Sequence, residues 1–372
     1  MLALSTADDA TLRGVLAAHG APAWRASQLR RAAWRPQVAS LAEIEELPRD
    51  LRVALAEELR FSTVEVAGET VADGGATLKL LGRLGDGATV ETVAMETPAR
   101  GGARRRSTVC VSSQVGCAVG CPFCATGQLG LIRSCTAAEI IDQVRVAATA
   151  LGRRGLGPVT HVVYMGMGEP LLNADATMES LRALVAAGLG ARRLTVSTSG
   201  VVPGIERLAA TGMPVTLAIS LHAATDDLRD RLVPLNRAYP LERLVAAGLG
   251  YAQATGRRLT FEWCLIGGVN DSPEQARRLR GVARRARAHV NVIPMNRIEG
   301  SPWGPPAPAA ARAFLGELSG VRVTVRDTRG GDGEAACGQL RAALERRREL
   351  RPDGTLGAMK RPTGPARGAP AP

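Results

Sequence analysis

The chain has 372 residues, 45% hydrophobic and 22% charged; this is enough for about two domains with sizeable cores and excludes a wholly disordered polypeptide. Forty-seven basic against 35 acidic residues leave a net charge of +12, which favours an anionic partner such as nucleic acid. Lys occurs only at 79 and 360, so 45 of the 47 are Arg, and part of the excess is coding bias. No run of about 18 apolar residues marks a membrane span, and Met1–Asp9 lacks the basic-then-apolar order of an export signal. The seven Cys are odd in number, and five fall between Cys110 and Cys135. That clustering indicates metal or redox chemistry in a reducing compartment, the cytoplasm, rather than a disulfide framework.

Residues 1–60 read as helical: Leu12, Val15 and Leu16, and again Leu51, Leu55 and Leu59, keep helical spacing. Residues 77–83 and 89–95 read as a strand pair around the Gly-Asp-Gly turn signal. Together they define a small N-terminal accessory domain, 1–100, of helices plus a β-ribbon. From about 107, β-rich runs (107–113, 159–165, 193–198, 215–220, 259–266, 289–294 and 321–327) alternate with helical stretches (136–150, 177–188, 241–254 and 274–287). Such alternation predicts an α/β fold with a parallel sheet and crossover helices, a barrel or partial barrel, with chemistry on the loops after the strand C-termini. This core runs to 345. Residues 346–372, rich in Arg, Pro and Gly, are expected to be a disordered basic tail.

The strongest chemical signal is Cys117-Ala-Val-Gly-Cys121-Pro-Phe-Cys124, just after the run 107–113. Three soft thiolates on one tight loop can hold three irons of a [4Fe-4S] cube. The fourth iron is then open to the amino and carboxylate groups of S-adenosylmethionine (SAM), into whose sulfonium the cluster can donate an electron. A zinc site or three structural thiols are the alternatives, although zinc usually asks for four ligands in paired spacing. Gly166-Met-Gly168-Glu169-Pro170 follows the run 159–165: glycines let backbone approach a ligand, and Glu169 can accept from an ammonium. Ser197, Ser220-Leu221-His222 and Asn296 lie at further strand ends, placed to fix a ribose, a carboxylate or an adenine edge.

The cysteine motif resembles that of the radical SAM superfamily. With Cys110-Val-Ser-Ser-Gln-Val-Gly-Cys117, Met165-Gly-Met-Gly-Glu-Pro170, Val196-Ser-Thr-Ser-Gly200, Ser220-Leu-His222 and Ala335-Ala-Cys-Gly-Gln-Leu340, the chain from about 10 to 345 resembles the RlmN/Cfr family of RNA adenine methyltransferases. The resemblance implies a partial (β/α)6 TIM-like barrel and a [4Fe-4S] cluster on Cys117, Cys121 and Cys124. It also implies SAM contacts at Gly168, Glu169, Ser197, Ser220, Leu221, His222 and Asn296, with two SAM consumed per turnover. Adenine C2 and C8 are poor nucleophiles. The family's route, as the resemblance implies it, methylates Cys337, abstracts a hydrogen from that methyl, adds the resulting methylene radical to adenine, and uses Cys110 to release the product as a transient Cys110–Cys337 disulfide forms. Glu91 is the implied acceptor of the ring proton. Cys135 and Cys264 match no family role and read as packing.

By the same resemblance the substrate is 23S ribosomal RNA at adenine C2, with tRNA as a second target, and the partner is a flavodoxin- or ferredoxin-like reductant of a monomeric enzyme with no membrane attachment. Methylation at C8 is the nearest alternative. A radical enzyme acting on a peptide or small molecule and a non-catalytic zinc RNA-binding module are more distant ones. Candidate RNA contacts are Arg25, Arg30 and Arg31 near Trp24 and Trp34, the run Arg104–Arg106, and the six Arg of 277–287.

Overall fold

A computed structural model describes residues 1–35, 37–97, 105–296 and 301–326. The chain opens with β1 (Leu2–Ala3) and three helices, α1 (Asp9–Ala18), α2 (Arg25–Ala33) and α3 (Arg49–Glu58), followed by β2 (Leu59–Arg60), which pairs with β1. Asp8 caps α1 by accepting from the Thr11 N–H at 2.7 Å. Leu12, Leu16, Leu29, Ile44 and Leu55 close a separate small core beneath these helices. Next come β3 (Val64–Ala72), β4 (Thr77–Leu84), β5 (Thr89–Thr97), β6 (Arg106–Cys110), β7 (Gln114–Gly116), α4 (Ala125–Gln128) and β8 (Leu131–Ser134). The remainder alternates: α5 (Ala137–Arg153), β9 (His161–Tyr164), α6 (Ala174–Ala186), β10 (Leu194–Thr198), α7 (Val202–Ala210), β11 (Thr216–Ser220), α8 (Asp226–Leu232), α9 (Leu241–Thr255), β12 (Thr260–Leu265), α10 (Pro273–Arg285), β13 (His289–Pro294), α11 (Pro308–Gly316) and β14 (Arg322–Val325).

Ten strands form one mixed sheet in the order β14-β13-β12-β11-β10-β9-β6-β5-β4-β3. From β6 to β14 every neighbour is parallel, while β3 to β6 are antiparallel. β3 and β14 are its edges, so the barrel is open, as the alternating pattern anticipates. The N-terminal ribbon is hydrogen-bonded into the same sheet through β5 and β6, and its Leu78, Leu80 and Val90 join the main core.

The parallel strands divide their side chains between two faces, as the two-residue strand period requires. Val109, Val162, Val196, Leu217, Phe261, Trp263 and Val290 pack beneath the helices, with Trp263 5.7 Å from Phe314 of α11. Thr108, Cys110, His161, Ser197, Ser220, Glu262, Cys264 and Asn291 alternate with them and therefore line the other, inner face. Helix α5, started by a Thr136/Glu139 capping box, ties the two cores together. Its Arg145 donates to the Ala33 carbonyl at 2.7 Å and to Asp142 Oδ1 at 2.7 Å, and lies over the Phe61 ring. Asp142 Oδ2 in turn accepts from the Thr63 backbone at 2.7 Å and hydroxyl at 2.8 Å.

Candidate active site

The cysteine loop is an excursion closed at its base by antiparallel β7 and β8. Gly116 sits there with φ +77°, and a Cβ would stand 1.8 Å from the Gly130 carbonyl oxygen, so only glycine fits. Cys117 N–H donates to that carbonyl at 2.9 Å, and Cys124 N–H to Cys121 O at 3.1 Å. Cys117 and Cys121 pack with Val119, Phe123, Ala223 and Ile266 in a small apolar cluster. Burial pushes the Cys117 thiol up to about 11 and the Cys121 thiol higher still, and the charges of Cys124 and Glu169 act in the same direction on both. The three sulfurs and the Glu169 carboxylate therefore share one electrostatic neighbourhood.

The stretch from Cys110 to that loop is locked to the loop after β9. Ser113 and Gln114 N–H groups both donate to Met167 O, at 2.8 and 3.2 Å. Met167 N–H donates to Ser112 Oγ, and Glu169 N–H to Gln114 Oε1. This close approach accounts for the two glycines. A Cβ on Gly166 would meet Val111 O at 2.7 Å, and one on Gly168 (φ +98°) would meet the Gln114 side chain at 2.5 Å. Gly168 thus has a packing reason to be glycine. Glu169 is buried. Its Oε2 accepts from Ser199 N and Oγ, each at 2.6 Å, and its Oε1 from Leu171 N at 3.0 Å. Burial raises its pKa, and these donors oppose the rise. The carboxylate is held by protein donors before any ligand arrives.

The other strand-end residues converge on the same end of the sheet. Ser197 Oγ lies 3.4 Å from Ser220 Oγ. The side chain of Leu221 is in the core; its N–H donates to Glu262 O and its carbonyl accepts from Arg229. His222 has φ +59° and stands edge-on to Phe123, ring centroids 5.0 Å apart. Its Nδ1 accepts from Cys264 N–H at 3.0 Å, which places the proton on Nε2. Burial, reinforced by Arg229, drives its pKa down to about 3, so His222 offers a neutral N–H donor and not a base. Asn296 is exposed, one residue after buried Met295.

Cys110 ends β6 on the inner face. Its cross-strand partner in β5 is Val93, and Thr92 turns the opposite way to bond Gln143 of α5 at 3.0 Å. Glu91 therefore shares the inner face with Val93 and Cys110, and it is 4% exposed. Strand register sets its place. No disulfide joins two of the described cysteines. The Cys110–Cys337 disulfide that the resemblance implies is not supported, because Cys337 lies outside the described residues, as do Arg104 and the tail 346–372.

Several contributors escape sequence reasoning. Gln143 accepts from Ser112 N at 2.8 Å and donates to Ser112 O at 2.9 Å, fixing the turn after Cys110. Lys79, 1% exposed, pairs with Val93 in register and so joins the inner face beside Glu91 and Cys110. Arg229 of α8 is wholly buried behind the strand ends. By contrast, Arg106 opens β6 four residues before Cys110, about 13 Å away along the strand, and Arg105 faces Glu96 at 3.6 Å.

Residues 111–279 match the Radical SAM superfamily. A probable dual-specificity RNA methyltransferase RlmN from Parafrankia sp. (strain EAN1pec) is 47% identical over 348 residues, covering 89% of each chain. Its namesake from Moorella thermoacetica is 47% identical over 330 residues, covering 87% of this chain and 92% of that one. The crystal structure of a radical SAM methyltransferase from Sphaerobacter thermophilus superimposes with a TM-score of 0.85 at 46% identity, over 91% of this chain and 99% of the other. The chain belongs to the RlmN family of radical SAM RNA methyltransferases. Membership implies a [4Fe-4S] cluster and SAM, and the site has the chemistry for both. The donors are soft thiols on a glycine-shaped loop, walled by apolar side chains and facing a buried carboxylate. Among the described residues no three His, Cys, Asp or Glu side chains gather round one point as a single metal ion needs. A cubane instead takes each thiolate on a separate iron. No helix among the described residues is long and apolar enough to cross a membrane.

Proposed function

We propose that this RlmN-family enzyme methylates C2 of an adenine in 23S ribosomal RNA, and also in tRNA, with Cys337 as the methyl-carrying thiol and two SAM consumed per turnover. The observation that carries this reading is the gathering of Cys110, Glu91 and the cysteine loop at one end of a sheet whose inner face is polar. With cluster and SAM bound, the site supplies one-electron chemistry able to functionalise an unactivated aromatic C–H. Cys117, Cys121 and Cys124 would hold the irons. Gly168, Glu169, Ser197, Ser220, Leu221, His222 and Asn296 would hold SAM, with Glu169 receiving an ammonium and His222 donating through Nε2–H. Leu221 would act through its place in the backbone, since its side chain belongs to the core. Glu91 would take the adenine ring proton, and Cys110 would act on the Cys337 sulfur to free the product.

RNA would meet the N-terminal helices first. There Trp24 is 57% exposed, with the Arg25 guanidinium 4.7 Å over its ring, a surface suited to stacking a base turned out of folded RNA. A flavodoxin- or ferredoxin-like protein would deliver the electrons in the cytoplasm.

The test is a Cys110→Ala chain expressed in cells. The expected result is accumulation of a covalent RNA adduct at Cys337, seen as a nuclease-trimmed mass increment on its peptide. Normal methylation without an adduct would remove Cys110 from the mechanism. Mass spectrometry of digested ribosomal RNA from wild-type cells should show 2-methyladenosine; 8-methyladenosine would overturn the C2 assignment.

A further inference from the structure

Arg229 has no exposed surface. Its guanidinium spans two strand ends and the turn 234–237: Nη2 donates to the carbonyls of Ser199 at 2.6 Å and Ser220 at 3.2 Å, Nε to that of Leu221 at 3.1 Å, and Nη1 to Asn236 Oδ1 at 2.8 Å. Asn236 is itself aimed by donating to Asp226 at 2.9 Å and Asp230 at 2.7 Å. Ser199 gives both its N–H and its hydroxyl to Glu169. One side chain thus links the ends of β10 and β11 to the Glu169 loop. From the same helix, Leu228 and Leu232 pack in the apolar cluster that contains Cys117 and Cys121.

Its charge is the unusual part. Among the described residues no carboxylate comes within ion-pair distance of this guanidinium; the atoms it bonds are neutral oxygens, and Asp226 and Asp230 act on it from beyond Asn236. A buried cation is costly unless something compensates it. Burial lowers its pKa to about 10 against the opposing fields of Cys121, Asp226 and Asp230, and its own field partly offsets the rise at the Cys121 thiol.

We propose that Arg229 is a positioning residue of the cofactor site with two separable jobs. Its forked N–H donors hold the ends of β10 and β11 in the arrangement that binds SAM. Its positive charge, carried on the helix whose Leu228 and Leu232 pack with Cys117 and Cys121, favours the more negative, reduced state of the iron–sulfur cluster once an external reductant supplies the electron. The inference rests on the assignment of Cys117, Cys121 and Cys124 to that cluster.

The experiment uses the full chain, reconstituted anaerobically with iron and sulfide. Two quantities are read: the Kd for SAM by equilibrium dialysis, and the cluster midpoint potential by dithionite titration followed by electron paramagnetic resonance. Arg229→Lys keeps the charge and loses the fork; it should weaken SAM binding about tenfold and leave the potential unchanged. Arg229→Gln loses both; it should weaken SAM binding similarly and make one-electron reduction about tenfold less favourable, a shift of about 59 mV to more negative potential. A purely architectural arginine would move the first quantity and not the second.

The charge role is overturned if Arg229→Gln leaves the potential in place, or if Arg229→Lys shifts it equally. The positioning role is overturned if Arg229→Lys binds SAM like wild type, a result readable even if Arg229→Gln does not fold. A Cys121→Ala chain, with Arg229 intact, that loads iron as well as wild type would instead sink the cluster assignment beneath the inference.

Discussion

Among the described residues two arginines are buried, and they are balanced in different ways. Arg145, at the junction of the N-terminal helices and the sheet, faces a carboxylate: Asp142 Oδ1 lies 2.7 Å away, with side-chain exposures of 6% and 0%. Arg229, behind the strand ends, rests on carbonyls and an amide oxygen. A junction that only has to stay shut neutralises its charge within the chain. A site that receives anionic groups can leave part of that compensation to what it binds.

Breaking the first arrangement should give the largest effect on stability. Asp142→Ala strands Arg145 as an unpaired buried charge and removes the acceptor of Thr63; the expected cost is about 3–5 kcal/mol, read as a lower denaturant midpoint. RNA methylation per folded molecule should be unchanged; a midpoint equal to wild type would mean that the pair does not latch the junction. At the second arginine, Asn236→Leu takes away the Nη1 acceptor together with the amide donated to Asp226 and Asp230. It should cost about 1–3 kcal/mol and weaken SAM binding as well, a coupling the Asp142 substitution should lack.

The smallest effect belongs to a half-buried imidazole, that of His161. Burial, with Arg106 and Arg193 nearby, lowers the pKa of His161 from 6.5 to about 4. Below pH 6.5 the unfolded chain takes up a proton that the folded chain refuses until about pH 4, so stability falls as pH drops through that window. His161→Gln should make the fall shallower; an identical pH–stability curve would contradict the depressed pKa.

Much of this is legible in the sequence. The seven β-rich runs all became parallel strands because an apolar face under helices writes itself into alternate residues. The 77–83 and 89–95 pair formed around Gly85-Asp86-Gly87 as its turn chemistry required. The cysteine loop, being local in sequence, was equally plain. What stayed hidden is long-range. β3 carries Glu65, Gly68 and Glu69 on an edge and shows little alternation. Helix α8, Asp-Asp-Leu-Arg-Asp-Arg-Leu, has the composition of a solvated surface turn, yet Arg229 points inward; in a chain with 45 Arg nothing marks out this one. Lys79 did carry a mark, as one of only two lysines, but rarity alone does not say that a side chain is buried.

The seam between ribbon and barrel acts as a ruler. Glu91 is aimed by counting residues from the Val93–Cys110 rung. Removing one residue between Glu91 and that rung would swing the carboxylate to the helix side of the sheet while leaving every backbone rung available to re-form. The N-terminal segment is therefore no detachable adaptor. Grafting it from a relative, or trimming it to ease crystallisation, preserves the arrangement at Cys110 only if β5 arrives with its parity intact.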